Sequence, residues 1–160
     1  MPGAAADIKA DGAVPRGAKI QCVQPEGNDT VCGPLRDGAL KATPIDRSTT
    51  DISGLQCPSI LDGDALVDAA RRSGGTGHLV SDASRYQMQS RPAQEEGIFC
   101  EPAGAVAAAG AVEARRHGLI SADDTAVCLL TGSGFKDPAS VDRMLGAVRA
   151  VNAASRTTAR

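Results

Sequence analysis

The residues of this chain best suited to chemistry lie in one loop, Thr131-Gly132-Ser133-Gly134. The loop follows an apolar run at 125–130 and precedes a helical pattern at 140–154. In α/β proteins, loops at the carboxyl ends of strands place backbone amides and a hydroxyl beside a ligand. The order of strand, loop and helix therefore predicts that these four residues form a ligand-binding loop.

Other polar segments are better explained as turns. The glycine-rich run Ser73–Gly77 follows a helix and precedes a strand, the reverse of the order that directs amides at a phosphate, and it is interpreted as a helix stop. A cation site at Pro25-Glu26-Gly27, through a carboxylate or carbonyl oxygen, is the less favoured alternative to a tight surface turn. Lys136 and Asp137 are interpreted as a solvated turn.

The cysteines indicate neither a metal site nor a disulfide framework. Their number is odd and no two show a C-x-x-C spacing: Cys22, Cys32, Cys57, Cys100 and Cys128. We expect them to be reduced thiols, mostly in packing roles, which is typical of a cytoplasmic protein. A catalytic cysteine is the less favoured alternative, because it needs a histidine partner and nothing near His78 or His117 supports one.

The composition argues against several functional classes. A formal net charge of −2 and scattered basic residues disfavour nucleic-acid binding. No apolar run approaches the roughly 20 residues of a membrane helix, and residues 1–17 do not read as a secretory signal. The chain has no Trp, one Tyr and two Phe, so its core must rest on small aliphatic side chains. Such a thin core is expected of a piece that packs against something larger.

Alternating strand and helix patterns predict an α/β fold. Residues 1–17 lack periodicity and are expected to form a flexible lead-in. Buried strands are predicted at 18–24, 78–80 and 125–130. Helices are predicted at 29–37, 64–73, 83–97, 102–117 and 140–154, with a kink or break at Pro92. The predicted architecture is a partial three-layer fold in which helices cover a mostly parallel sheet.

Three helix boundaries can be predicted in detail. The helix at 64–73 is expected to bury one face and to end at Gly74-Gly75, where positive φ angles are tolerated. That face comprises Ala65, Leu66, Ala69 and Ala70. Ser81 or Asp82 is expected to cap the next helix. Pro102 is placed at the first position of the helix that Gly118 ends.

Three blocks of the sequence resemble threonine synthase-like enzymes in order and spacing. These are pyridoxal-phosphate (PLP) enzymes of fold type II, the tryptophan synthase β-like class. The blocks are Lys19–Gly27 (KIQCVQPEG), Pro58–Asp82 and Glu96–Pro138, which together span about 120 residues. The third block is the most specific, because it combines EGIF-x-EPAGA with L-L-T-G-x-G-x-K-D-P. The resemblance implies the fold of the large domain of these enzymes.

The resemblance also implies which residues contact the cofactor PLP. Thr131 matches the family's threonine, whose hydroxyl lies near the pyridine nitrogen and leaves it largely unprotonated. Gly132 and Gly134, on either side of Ser133, are expected to let the backbone approach the ring closely. Glu101 matches a glutamate near the cofactor pocket. From the residues alone it is equally well explained as a helix N-cap, and the two roles are compatible.

Two parts of a PLP site have no counterpart in this chain. The family's Schiff-base lysine lies in an S-x-K-x-R-like segment, and none of the lysines does so: Lys9, Lys19, Lys41 and Lys136. A glycine-rich phosphate loop is also missing. Residues 18–157 are therefore expected to be the C-terminal part of such an enzyme without its N-terminal half. No catalytic residue and no metal ligand is assigned within them.

The implied function is that of a threonine synthase-like PLP-dependent lyase, acting in the intact family on an amino acid such as O-phosphohomoserine. Two alternatives stay open: a non-catalytic or split-enzyme remnant that needs an N-terminal partner, and another fold-type-II enzyme such as a serine/threonine dehydratase. The expected partners are a small amino-acid substrate and either an N-terminal complementing chain or a second copy in a homodimer.

Overall fold

A computed structural model describes residues 17–146 of the chain. Its elements are β1 (Cys22–Pro25), α1 (Cys32–Arg36), α2 (Gly63–Arg72), β2 (Gly77–Val80), α3 (Asp82–Glu95) and α4 (Val106–Arg116). A last helix, α5, comprises residues 138–146. Short 3-10 turns occupy Glu26–Asn28, Ser53–Leu55 and Gly134–Lys136. The predicted lead-in, apart from Gly17, and the helical pattern beyond 146 lie outside the described residues.

The strands β1 and β2 pair in parallel, with Cys22 opposite Gly77 and Pro25 opposite Val80. The predicted α/β class with a parallel sheet is thereby confirmed. The first strand begins at Cys22, later than its apolar pattern predicted. Before the strand the two segments still lie close together, because a Cβ atom on Gly75 would overlap the carbonyl of Ile20, but they form no ladder there.

The core lies between the strand pair and the helices α1 and α2. Its central members are Val31, Cys32, Val67 and Ala70, all buried. The predicted face of α2 was wrong in part, because Ala65 is exposed and the stripe Gly63, Val67 and Ala70 is buried. That stripe follows the i, i+4, i+7 spacing of one helix face. Gly74 ends the helix with φ +74°, as predicted.

A single amide side chain fixes α1 beside β1. The Gln24 Oε1 atom accepts hydrogen bonds from the backbone N–H groups of Thr30, Val31 and Cys32, at 3.2, 2.8 and 3.0 Å. Helix α1 has only five residues, too few to be stable alone. Gln24 therefore stabilises the helix by satisfying N–H groups at its start, which lack intrahelical partners.

The later helices differ from prediction at their interior and start. Helix α3 runs through Pro92 as one element, capped by Ser81, whose hydroxyl accepts from the N–H of Ser84 at 3.2 Å. Helix α4 begins at Val106 and not at Pro102, which lies in a preceding turn. Gly118, with φ +71°, ends it as predicted. No helix within residues 17–146 is long and apolar enough to cross a membrane.

The predicted buried strand at 125–130 was wrong. The segment belongs to no ladder, and Val127 and Leu129 are 84% and 73% exposed. Its apolar residues satisfy the pattern of a strand, but no described strand lies beside it to pair with its backbone. A strand needs a neighbour as well as a pattern, and the pattern alone does not supply one.

Candidate functional site

The Thr131–Gly134 loop is held against the segment that precedes α4. Ser133 forms an isolated antiparallel bridge with Cys100. The Glu101 N–H donates to the carbonyl of Gly132 at 2.9 Å, and the Gly134 N–H donates to the carbonyl of Phe99 at 3.1 Å. These backbone bonds bring together the residues that the sequence analysis singled out, although they are about thirty positions apart.

At Gly132 the Glu101 side chain occupies the space where a Cβ atom would lie, so a larger residue there would displace that flexible side chain. Gly104 is similarly constrained, since a Cβ there would lie 3.0 Å from the backbone nitrogen of Gly132. The turn before α4 and the loop therefore fit closely together. This contact also explains why α4 starts late, because residues 102–105 form the turn that accommodates the loop.

Gly134 is constrained by an aromatic side chain. A Cβ atom at this position would lie 2.5 Å from the ring of Phe99. Phe99 in turn packs edge-to-face against Phe135, with 5.0 Å between ring centroids. In this structure the two loop glycines give room to protein side chains, Glu101 and Phe99. Their predicted role in admitting a cofactor ring stays a prediction.

The hydroxyls of the loop have different environments. The Ser133 Oγ atom accepts a weak hydrogen bond from the N–H of Phe135, at 3.4 Å, and so caps the 3-10 turn. Thr131 is exposed, and its hydroxyl has no hydrogen-bond partner among residues 17–146. Thr131 is therefore the hydroxyl that is available to a ligand.

One cation lies near the loop. The Lys136 Nζ atom is 3.9 Å from the Glu101 Oε1 atom, and both ends of this pair are partly solvated. A single exposed pair of this kind contributes about 0–1 kcal/mol. Glu101 does not cap α4, whose N-cap residue is Ala105. Its predicted alternative role as a helix cap was therefore wrong for α4, because the helix begins five residues after it.

A buried glutamine supports the site from behind. The Gln89 Nε2 atom donates to the carbonyl of Cys100 at 3.1 Å and to the Ser140 hydroxyl at 2.9 Å. These bonds tie α3 and α5 to the residue that precedes Glu101. Burial raises the pKa of the Cys100 thiol, so Cys100 is neutral and unsuited to act as a nucleophile. Sequence reasoning missed Gln89, because a glutamine in a helix carries no signal of burial.

A second polar site lies at the carboxyl ends of β1 and β2. It is an open depression of about 330 Å³, lined by Glu26, Gly27, Thr49, Thr50 and Asp82. The parallel pairing explains why residues that follow β1 and β2 meet there. The stretch that contains Thr49 and Thr50 also reaches the turn before α4, because a Cβ on Gly54 would lie 3.2 Å from that of Ala103.

The carboxylate of Asp82 is already committed to structure. It pairs with the fully buried guanidinium of Arg85. It also accepts hydrogen bonds from the Thr50 hydroxyl and the Asp51 N–H, both at 2.9 Å. The Arg85 guanidinium donates in addition to the carbonyl of Val80 at 3.2 Å. The sequence analysis missed this network, whose signal is an Asp-x-x-Arg spacing in the first turn of a helix.

The two sites suit different chemistry. The loop offers the exposed Thr131 hydroxyl, which has no hydrogen-bond partner among residues 17–146 and is a group that can bond the ring nitrogen of a heteroaromatic ligand such as PLP. The depression carries the carboxylate of Glu26, which repels a phosphate group, and the carboxylate of Asp82 there is already paired with Arg85. The described residues therefore fit one edge of PLP and not its phosphate end. Within residues 17–146, no group of three or more potential ligands is placed to bind a metal ion.

The fold is that of an α/β protein in which the Thr131–Gly134 loop precedes a helix, and the family is shown by the comparisons with known proteins. The chain belongs to the pyridoxal-phosphate dependent enzyme family, whose model matches residues 2–132. The cofactor of that family is PLP. The matched region includes Glu101, Thr131 and Gly132.

The curated relatives are threonine synthases. The chain is 32% identical to that of Methanosarcina acetivorans over 123 residues, which cover 77% of this chain and 30% of the relative. It is 31% identical to that of Methanocaldococcus jannaschii over 120 residues, covering 75% and 30%. It is 35% identical to that of Synechocystis sp. over 99 residues, covering 62% and 25%. The chain thus spans about 30% of the length of the first two relatives.

Proposed function

We propose that this chain forms the pyridine-nitrogen side of the cofactor site in a threonine synthase-like PLP-dependent lyase. The observation that carries the proposal is the contact between Glu101 and Gly132. It holds the loop so that the neighbouring Thr131 hydroxyl stays exposed and unpaired. The family match and the threonine synthase relatives support the same assignment.

The proposed roles rest on the resemblance and on the exposure of Thr131. PLP, when bound, would supply an electron-withdrawing ring that stabilises negative charge at the substrate carbon. The Thr131 hydroxyl would donate a hydrogen bond to the pyridine nitrogen and, being neutral, would leave that nitrogen without a proton. Gly132 and Gly134, with Ser133 between them, fix the position of the hydroxyl. Glu101 anchors the loop, and Lys136 balances the charge of Glu101.

The remaining functions of the site are assigned to a part of the enzyme that the given sequence does not include. The lysine that binds the cofactor and the phosphate loop belong to a complementing N-terminal part, and residues 18–157 are the C-terminal part of the enzyme. The proposed substrate is a small amino acid of the O-phosphohomoserine type. The names of the relatives support this choice over a serine or threonine dehydratase.

A chimera tests the proposal. The part of the Methanosarcina acetivorans threonine synthase that precedes its matched region is joined to this chain and incubated with PLP. Borohydride reduction and peptide mapping then locate any modified lysine. We expect an adduct in the added part and none specific to the isolated chain. A stoichiometric adduct on one lysine of the isolated chain would contradict the proposal, as would a folded chimera that does not bind PLP.

The variant Thr131→Asp tests the role of the hydroxyl in the same chimera. An aspartate holds a proton on the pyridine nitrogen, so the absorbance of bound PLP should change its dependence on pH. The variant Thr131→Ser keeps a hydroxyl and should behave like the parent. Thr43→Val, at another exposed threonine, is the matched control. An unchanged spectrum in Thr131→Asp would exclude contact between residue 131 and the ring nitrogen.

A further inference from the structure

Helix α3 carries two large polar side chains that are fully buried, Arg85 and Gln89. They are four positions apart and therefore lie on the same face of the helix. Arg85 bonds to groups at the end of β2 and in the segment that contains Thr50. Gln89 bonds to Cys100 and Ser140, which lie on either side of the Thr131–Gly134 loop in the sequence. The second of these side chains is thus the one that reaches both flanks of the loop.

The orientation of the Gln89 amide follows from its partners. The Cys100 carbonyl can only accept a hydrogen bond, so the Nε2 group must face it, at 3.1 Å. The Ser140 hydroxyl accepts from the same group at 2.9 Å and donates its own proton to the carbonyl of Asp137 at 2.8 Å. One nitrogen therefore holds the residue that pairs with Ser133 and the turn that follows the loop.

The bond to Cys100 acts on the peptide unit that anchors the loop. The Cys100 carbonyl and the Glu101 N–H belong to one planar peptide unit. Gln89 donates to the carbonyl, and the N–H donates to the carbonyl of Gly132 at 2.9 Å. A plane that is bonded at both ends has a fixed orientation, and the bond at its carbonyl makes its N–H a stronger donor. The position of Gly132, and of the adjacent Thr131, therefore depends on Gln89.

Stability alone does not account for a glutamine at this position. The Gln89 Oε1 atom is buried and has no hydrogen-bond partner among residues 17–146. An unpaired amide oxygen in the interior costs free energy that an apolar side chain of similar length would avoid. Helix α5 also has a second anchor on α3, because the Arg143 Cζ atom lies 4.4 Å from the centroid of the Tyr86 ring. The two helices are therefore not held together by the amide alone.

We propose that Gln89 is a positioning residue of the candidate site, and that its Nε2 group fixes the Thr131–Gly134 loop against Glu101. It acts through the Cys100–Glu101 peptide unit and not by contact with a ligand. The inference rests on the proposed function, because the group whose place it determines is the Thr131 hydroxyl.

Hydrogen exchange of the backbone amides in the full chain tests this role. Gln89→Met has a side chain of similar length without the amide. The protection of the Glu101 and Gly134 N–H groups should fall in this variant by about tenfold, the equivalent of one hydrogen bond, while that of the β1–β2 amides is retained. Ser140→Ala leaves the bond to Cys100 intact and should preserve the protection of Glu101. Unchanged protection of Glu101 in Gln89→Met would overturn the inference, as would an equal loss at the β1–β2 amides.

The variant Gln89→Glu adds a pH profile to the test. A protonated carboxyl group can donate to the Cys100 carbonyl, whereas an ionised one cannot. Burial raises the pKa of such a carboxyl group, so the protection of Glu101 should be present at low pH and lost as the pH rises through that raised pKa. Gln87→Glu, at an exposed glutamine of the same helix, is the matched control and should show no such step. Parallel profiles in the two variants would contradict the role of Gln89.

The inference and the proposed function can fail separately. In the chimera with the Methanosarcina acetivorans part, Gln89→Met should weaken the affinity for PLP by about tenfold, and Gln87→Met should leave it unchanged. Equal affinity in the parent chimera and in Gln89→Met would retain the proposed function and overturn the inference. A parent chimera that does not bind PLP would remove the proposed function, and the exchange of the Glu101 amide in the full chain then decides whether Gln89 fixes the loop.

Discussion

The β1–β2 pair and the segment 125–130 are both short apolar runs that contact α4, but only the pair is hydrogen-bonded and buried. The register Cys22–Gly77 to Pro25–Val80 satisfies the backbone groups between the two strands. The core residues Val31 and Val67 belong to one buried cluster with Cys22 of β1. The segment has one side on α4 and no described neighbour at its edges.

The difference shows what a short apolar run determines. It determines that a segment is extended and that it needs cover on both faces. It does not determine which part of the polypeptide supplies the cover. In the β1–β2 region the cover is local, from α1 and α2, whereas at 125–130 half of it is missing from the described residues. The β1–β2 region is therefore closed, whereas the segment 125–130 is open.

The largest effect should come from removing the carboxylate that pairs with the buried guanidinium of Arg85 in the closed region. Asp82→Ala removes the carboxylate that pairs with the buried Arg85 and holds Thr50 and Asp51. Leaving a buried charge without its partner costs about 3–5 kcal/mol. The free energy of unfolding, measured by urea denaturation, should fall by that amount.

Asp68→Ala is the control for this effect. Asp68 forms an exposed pair with Arg72 at 3.1 Å, and such pairs contribute about 0–1 kcal/mol. Equal losses in the two variants would mean that Arg85 is hydrated and that the region is less closed than the structure shows.

The same substitution made in both regions tests the contrast directly. Val67→Ala removes two methyl groups from the closed core and should cost about 1.5–3 kcal/mol, close to the value of burying the valine side chain. Val127→Ala changes an exposed valine in the open segment and should change the stability of the isolated chain by less than about 0.5 kcal/mol. Both values come from urea denaturation. A large loss in Val127→Ala would show that the segment is covered in the isolated chain.

Much of the closed region could be predicted from the sequence because its signals are local. The helix stop at Gly74, the cap at Ser81 and the end of α4 at Gly118 each depend on one or two residues. The buried face of α2 was predicted less well. Ala65 and Val67 are both apolar, and only the position of α1 decides which of them is buried.

The contacts around the candidate site could not be predicted from the sequence, and the cofactor-binding role of its residues stays a prediction. The sequence pointed to Glu101 and Thr131, yet it gave no sign that Glu101 fills the space above Gly132. That contact joins residues about thirty positions apart, and no local pattern encodes it. The support from Gln89 was missed for the same reason, whereas the Asp82–Arg85 pair has a local Asp-x-x-Arg spacing that was not used. The open state of 125–130 was missed because a pattern cannot reveal an absent neighbour.

A smaller effect should come from the contact between Gly132, which follows the open segment, and the side chain of Glu101. Gly132→Ala places a Cβ atom where the Glu101 carboxylate lies, and because this flexible side chain can move aside the cost should be about 1 kcal/mol or less, at the low end of overpacking. In the background Glu101→Ala the same change should be nearly neutral, because the overlap is gone. A double-mutant cycle by urea denaturation measures this coupling. Gly146→Ala is the control, since a Cβ there meets nothing within 4 Å. Additive losses would separate Gly132 from Glu101.

The smallest effect concerns pH and the closed region. His78 on β2 is buried, its Nε2 atom is 2.9 Å from the Gln21 Oε1 atom, and burial together with the charge of Arg36 lowers the pKa of His78. The unfolded chain then binds more protons than the folded chain between the lowered pKa and about 6.5. Stability should therefore be greatest above about pH 6.5 and fall as the pH is lowered through that window. His78→Gln should flatten this part of the stability profile, whereas His117→Gln, at an exposed histidine, should retain it. Parallel profiles for the parent and His78→Gln would show that the β1–β2 region does not exclude a proton, and the contrast with the open segment would then be one of packing alone.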